Sequence, residues 1–144
     1  KQKMPSLILS IETSTKACSV ALAENGNLIS FLESVDFNYS HSEKLNLFIK
    51  DVFEKGDRKM NQLSAVSVSK GPGSFTGLRI GVSTANGLVY ALDIPLLAIE
   101  TPKSMALGFV NENPIETNGL LIPMIDARRR EVYMQMFNAN LIHL

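Results

Sequence analysis

Ser64-Ala-Val-Ser-Val-Ser-Lys-Gly-Pro-Gly-Ser-Phe-Thr-Gly-Leu-Arg-Ile-Gly81 runs from a β-branched segment through a glycine-rich turn into a helical pattern that continues to Leu92. The apolar run Ser64 to Val68 is short and β-branched, which reads as a buried strand. Lys70 to Gly77 reads as a loop, because Pro72 offers no N–H and Gly71, Gly73 and Gly77 favour turn backbone. Strand, glycine loop and helix in that order predict an α/β layered fold.

Toward the N-terminus, Leu7 to Ile11, Ser19 to Ala23 and Leu28 to Leu32 are three strand-like runs. Thr13-Ser-Thr-Lys16 separates the first two, and Asn25-Gly26, a strong hairpin signal, separates the last two. Leu45, Phe48, Ile49, Val52 and Phe53 then recur at helical spacing, with Ser40 or Ser42 as the predicted cap and Gly56 as the predicted C-cap. Beyond Leu92, Pro95 to Ile99 predicts another strand. Thr101 and Pro102 predict a cap and an N1 proline for a helix through about Phe109. The expected order is β-β-β-α-β-α-β-α.

A first module is therefore placed at 4–110, starting from Met4. The polar stretch Asn111 to Asn118 separates it from Leu120 to Ile125 and Glu131 to Phe137, read as the first strands of a second module at 119–144. Two strands bury too little surface to stand alone, so this module is expected to continue beyond Leu144.

With 45% hydrophobic residues the chain can bury a core, and its 14 basic and 14 acidic side chains cancel. That balance disfavours autonomous RNA binding, which ordinarily rests on a clustered basic surface. The single cysteine, Cys18, excludes an internal disulfide framework and fits a reducing cytoplasm. No apolar run approaches the roughly 20 residues of a membrane span, and Glu12 interrupts a signal-peptide reading.

Two readings of the glycine loop stand side by side. As a phosphate cradle, Gly71, Gly73 and Gly77 bring backbone close to an anion at a helix head, with hydroxyls from Ser74 and Thr76 and a cation from Arg79. As a packed turn, the same glycines let a strand end seat tightly, with Ser74 or Thr76 as an N-cap. The Gly-Lys-Ser/Thr ending of a P-loop is missing. Glu12, with Thr13 and Ser14, ends the first strand and reads either as a turn anchor or as a general base. Arg128, Arg129 and Arg130 read as a solvated turn or as part of a basic surface completed by a partner.

Three motifs, in this order and spacing, resemble the TsaB (YeaZ) family: Ile8-Leu-Ser-Ile-Glu-Thr-Ser-Thr15, Lys70 to Gly81, and Ile125-Asp-Ala-Arg-Arg-Arg-Glu-Val-Tyr133. The resemblance spans nearly the whole chain. It implies an actin/Hsp70-like (ASKHA, ribonuclease H-like) α/β fold, with an N-terminal subdomain followed by the start of a second, similar one. It also implies a non-catalytic subunit that activates TsaD, which forms the threonylcarbamoyl group on N6 of adenosine 37 of tRNAs reading ANN codons. The implied partners are TsaD in a heterodimer, TsaE in a larger complex, a second copy when alone, and tRNA only indirectly. No tightly bound cofactor is implied, and ATP or ADP only in the complex. Interface candidates on the two N-terminal helices are Leu45, Phe48, Ile49, Val52, Gly81, Thr84, Ala85 and Leu88. Asp126 and Arg128 mark the second-subdomain motif.

TsaD is similar over the glycine loop, and its next strand leads into a metal-binding His-x-x-x-His pair. Here Thr101 and Met105 occupy those positions, and the only histidines are His41 and His143. No metal site is therefore expected, and a metallopeptidase is the weakest alternative. An independent ASKHA kinase or ATPase is the stronger one. Against it, Glu12 is a longer carboxylate than the Asp that faces the phosphates in such enzymes.

Overall fold

The structure, a computed structural model, describes residues 6–35, 41–113 and 118–143. Strands β1 (Leu7–Glu12), β2 (Cys18–Glu24) and β3 (Asn27–Ser34) are followed by helix α1 (His41–Gly56). Strand β4 (Leu63–Gly71), helix α2 (Phe75–Leu92), strand β5 (Leu96–Glu100) and helix α3 (Thr101–Glu112) complete the first module in the predicted order. One sheet holds all five strands in the order β3-β2-β1-β4-β5. Strands β1, β2 and β3 pair antiparallel, whereas β1 with β4 and β4 with β5 are parallel.

Alternation in β1 decides which face is covered. Leu7, Leu9 and Ile11 are buried with Val20 and Leu22 of β2 and Val66 and Val68 of β4, all in one register. Leu45, Ile49, Val52 and Phe53 of α1 and Ala85 of α2 close this core. The other face presents Ser10, Glu12, Ser19, Ala21, Ser67 and Ser69, which with Ser104 of α3 line a cavity of about 150 Å³. The α/β layering that the resemblance implies is thus present, with two helices on one face and α3 on the other.

Local corrections each have a physical reason. Asn25-Gly26 turns as predicted, with φ of 53° and 83°. Gly56 is the last residue of α1, and the left-handed position falls on Asp57 (φ 48°). A Cβ on Gly56 would lie 3.0 Å from Ile29 Cγ2 and 3.2 Å from Leu22 Cδ2, so this glycine admits the helix end onto the sheet. Ser42 sits inside α1 and cannot cap it, and Ser40 lies outside the described residues. Helix α2 begins at Phe75, three residues before the predicted Leu78, because Ser74 caps it. Glu100, not Thr101, is the N-cap residue of α3, which moves Pro102 one position further in.

The second module's two runs each break in two. Strands β6 (Leu120–Leu121) and β9 (Phe137–Asn138) form one pair. The other pair is β7 (Met124–Arg128) with β8 (Glu131–Met134). Pro123, without an N–H, stands in the gap between β6 and β7. Leu121 and Phe137 pack with Ala106 of α3, so that helix carries the contact between the modules. A polar link adds to it. Glu100 Oε1 pairs with Lys70 Nζ at 3.2 Å, and Glu100 Oε2 accepts from Gln135 Nε2 at 3.3 Å.

Lys70, and secondarily the Gln135 amide, hold the Glu100 carboxyl below its ordinary range. A depressed folded pKa means that this link is at full strength above the unfolded glutamate value and is lost as pH falls through the folded one. In an acid titration followed by NMR, the Gln135 side-chain amide is expected to shift below the usual glutamate range. Glu100→Gln should abolish that transition.

Candidate functional site

The end of β1 and the head of α2 are locked together by one backbone and one side-chain hydrogen bond. Ser74 N donates to Ser14 O at 2.6 Å, and Thr13 Oγ1 donates to Gly77 O at 2.8 Å. A Cβ on Gly73 would lie 2.3 Å from Ser14 O, on Gly77 2.0 Å from Thr13 O, and on Gly81 2.2 Å from Thr13 Oγ1. Such distances leave no room for any other side chain. Of the two readings of the loop, packing therefore accounts for Gly73 and Gly77, and Gly81 belongs to the same contact. Gly71 differs, since its φ of 106° is a backbone requirement.

Glu12 is held within this junction. Its Oε1 accepts the Ser14 N–H at 2.5 Å and its Oε2 accepts from the Ser69 hydroxyl, which ties the end of β1 to β4. Both carboxylate oxygens thus have partners inside the turn, the arrangement of an anchor. Ser74 acts as the N-cap, its Oγ accepting the Gly77 N–H at 3.3 Å. Arg79, in the second turn of α2, lies over the exposed Phe75 ring with its guanidinium carbon 5.4 Å from the centroid. Thr76 is exposed.

One polar atom at the junction is unused. Ser14 is only 1% exposed, and its Oγ has no partner among the described residues. Ser14 lines a cleft of about 860 Å³ with Ser74, Thr76, Met105, Arg128 and Tyr133, among others. The cleft lies between the first module's loops and the β7–β8 hairpin. Asp126 Oδ1 accepts the Arg128 N–H at 2.7 Å, so that carboxylate shapes the hairpin.

The interface candidates are corrected by burial. Leu45, Ile49, Val52, Ala85 and Gly81 are buried in the chain's own core, and Phe48 and Leu88 pack against it. Thr84 is half-buried. The faces these helices leave open are Asn46, Leu47 and Lys50 on α1, and Ser83, Asn86, Gly87 and Tyr90 on α2. Tyr90 is 91% exposed, and a Cβ on Gly87 would meet nothing within 4 Å. Helical periodicity located the apolar stripe, but the complementary stripe is the one open to a partner.

Burial pushes the Cys18 thiol up, only partly offset by Lys44, which keeps it protonated. Among the described residues no three His, Cys, Asp or Glu side chains cluster at metal-binding range. Thr101 is buried, its Oγ1 without a hydrogen-bond partner among the described residues, and Met105 lines the cleft. No described helix is long and apolar enough to cross a membrane.

The family described as TsaD, tRNA N6-adenosine threonylcarbamoyltransferase, matches residues 37–140. The tRNA threonylcarbamoyladenosine biosynthesis protein TsaB of Escherichia coli K12 is 33% identical over 126 residues, covering 88% of this chain and 52% of that protein. TsaB of Bacillus subtilis 168 is 34% identical over 131 residues, 90% of this chain and 54% of its own length. The solved structure of YeaZ from Pseudomonas aeruginosa superposes with a TM-score of 0.83 at 32% identity, covering 92% of this chain and 59% of that one. The chain thus spans about half the length of the curated relatives it matches.

Gly77→Ala sets a methyl group against the Thr13 carbonyl and is expected to cost about 1–3 kcal/mol in urea unfolding. Gly108→Ala, in open space on α3, should instead gain up to about 1 kcal/mol.

Proposed function

Because the chain belongs to the TsaD family of tRNA threonylcarbamoyltransferase-related proteins, and within it to the TsaB (YeaZ) group, we propose that it serves threonylcarbamoyladenosine formation as a non-catalytic subunit. In this reading it pairs with TsaD and activates it, so that the partner modifies N6 of adenosine 37 in tRNAs reading ANN codons. TsaE joins in a larger complex, two copies pair when the partner is absent, and adenine nucleotide enters only with the complex. The chain works in the cytoplasm, and residues 119–144 begin a second subdomain.

The observation that carries the non-catalytic half is the start of α3. Residues 101 and 105 are one helical turn apart, where two histidines would share a metal. A buried hydroxyl and a thioether stand there instead, and a hard cation has no use for that pair. The glycine loop agrees with this reading, because its closest contacts serve the Thr13–Ser14 turn.

The exposed stripe of α2 supports the partner half. Gly87 costs the helix about 1 kcal/mol relative to alanine, and among the described residues a Cβ there would meet nothing within 4 Å. Ser83 and Gly87 one turn apart, beside the exposed Tyr90, suit a second helix approaching at short range.

One observation favours a second reading. The unpartnered Ser14 hydroxyl at the head of α2 suits an anion, as an independent kinase or ATPase would require. Calorimetric titration with Mg-ATP decides between them. Micromolar binding with turnover by the chain alone would overturn the non-catalytic reading.

Sedimentation of the chain with TsaD should show a 1:1 species. Ser83→Arg, at an exposed position, should remove that species without lowering the melting temperature. Absence of any complex with the unmodified chain sinks the partner reading.

A further inference from the structure

Among the described residues two tight hairpins solve the same backbone problem with opposite chemistry. Between β2 and β3 the left-handed residues are Asn25 and Gly26, the pair that adopts positive φ most readily. Between β7 and β8 they are Arg128, Arg129 and Arg130, with φ of 66°, 54° and 64°. Side chains with a Cβ resist this conformation, and arginine brings no compensating hydrogen bond of the asparagine kind. Turn formation therefore does not explain three arginines.

Their surroundings do not explain them either. All three are exposed, and no carboxylate lies within ion-pairing distance of their guanidinium groups among the described residues. Asp126 is engaged with the Arg128 backbone N–H. Arg128 lines the cleft with Ser14, Ser74 and Thr76, and Tyr133 of the same hairpin, 45% exposed, offers an aromatic face there.

From this geometry we infer that the β7–β8 tip is a contact for the phosphodiester backbone of RNA. Guanidinium forks bind phosphate oxygens bidentately, and three consecutive exposed arginines at a hairpin turn suit phosphates spaced along a strand better than one small anion. Exposed aromatics beside such a set are the usual stacking platform for an unpaired base. The choice of RNA rests on the tRNA-modification reading above. The neutral chain holds RNA poorly by itself, and the tip contributes once a partner brings the tRNA within reach.

The test compares the unmodified chain with Arg129→Asn/Arg130→Gly, a variant whose turn is easier to form. Each is mixed with TsaD, and a fluorescent unmodified tRNA is titrated by anisotropy over a range of KCl concentrations. The variant is expected to bind about three- to tenfold more weakly at about 100 mM salt, with a salt slope lower by about 1.4–1.8, the loss of two phosphate contacts. Arg129→Lys/Arg130→Lys should keep most of the slope. Unchanged affinity and slope in the Asn/Gly variant would overturn the inference, as would an effect seen with ATP but not with tRNA. Threonylcarbamoyladenosine formation is measured in the same mixtures. Failure of the unmodified chain to support it counts against the family reading, while the affinity comparison still judges the tip.

Discussion

The contact between the Thr13–Ser14 backbone and the glycine face of α2 is the constraint from which the site is organised. Two carbonyl oxygens and one hydroxyl lie where Cβ atoms of residues 73, 77 and 81 would be. That proximity brings the end of the central strand against the head of α2. Ser74 caps the helix and bonds Ser14 in the same few ångströms. Glu12 completes the junction by bridging the turn to Ser69 of β4. Disturbing any one of these positions moves strand, loop and helix together.

A junction closed in this way has little freedom left for chemistry. The carboxylate that could serve as a base is committed on both oxygens, and Arg79 is turned onto Phe75. What stays open lies outward from the junction: the cleft on which Ser14 borders and the far side of α2. These are surfaces on which another molecule can act, in keeping with the subunit role proposed above.

Much of the first module was legible in the amino-acid order. Alternation in β1 and β2, Asn25-Gly26 and the apolar spacing of α1 are local signals, and local signals survive without a structure. The meaning of Gly73, Gly77 and Gly81 was not legible, because it depends on Thr13 and Ser14, some 60 residues away in sequence. The interface candidates failed for a related reason. Leu45, Ile49 and Val52 mark an apolar face, and the pattern alone does not say whether a sheet of the same chain or another protein covers it. Thr101 as a cap was misread because Glu100, the last residue of β5, already occupies the boundary.

The strand order has a consequence for how the chain acquires its shape. β1 is the middle strand, paired with β2 nearby in sequence but also with β4, whose Leu63 meets Leu7 across a long loop closure. On an emerging polypeptide the β1–β2–β3 meander can assemble at once, while one edge of β1 stays bare until the glycine loop region has been synthesised. Until β4 arrives, the backbone N–H and C=O groups along that edge of β1 stand without strand partners, the state in which a half-built sheet is most open to pairing with another chain.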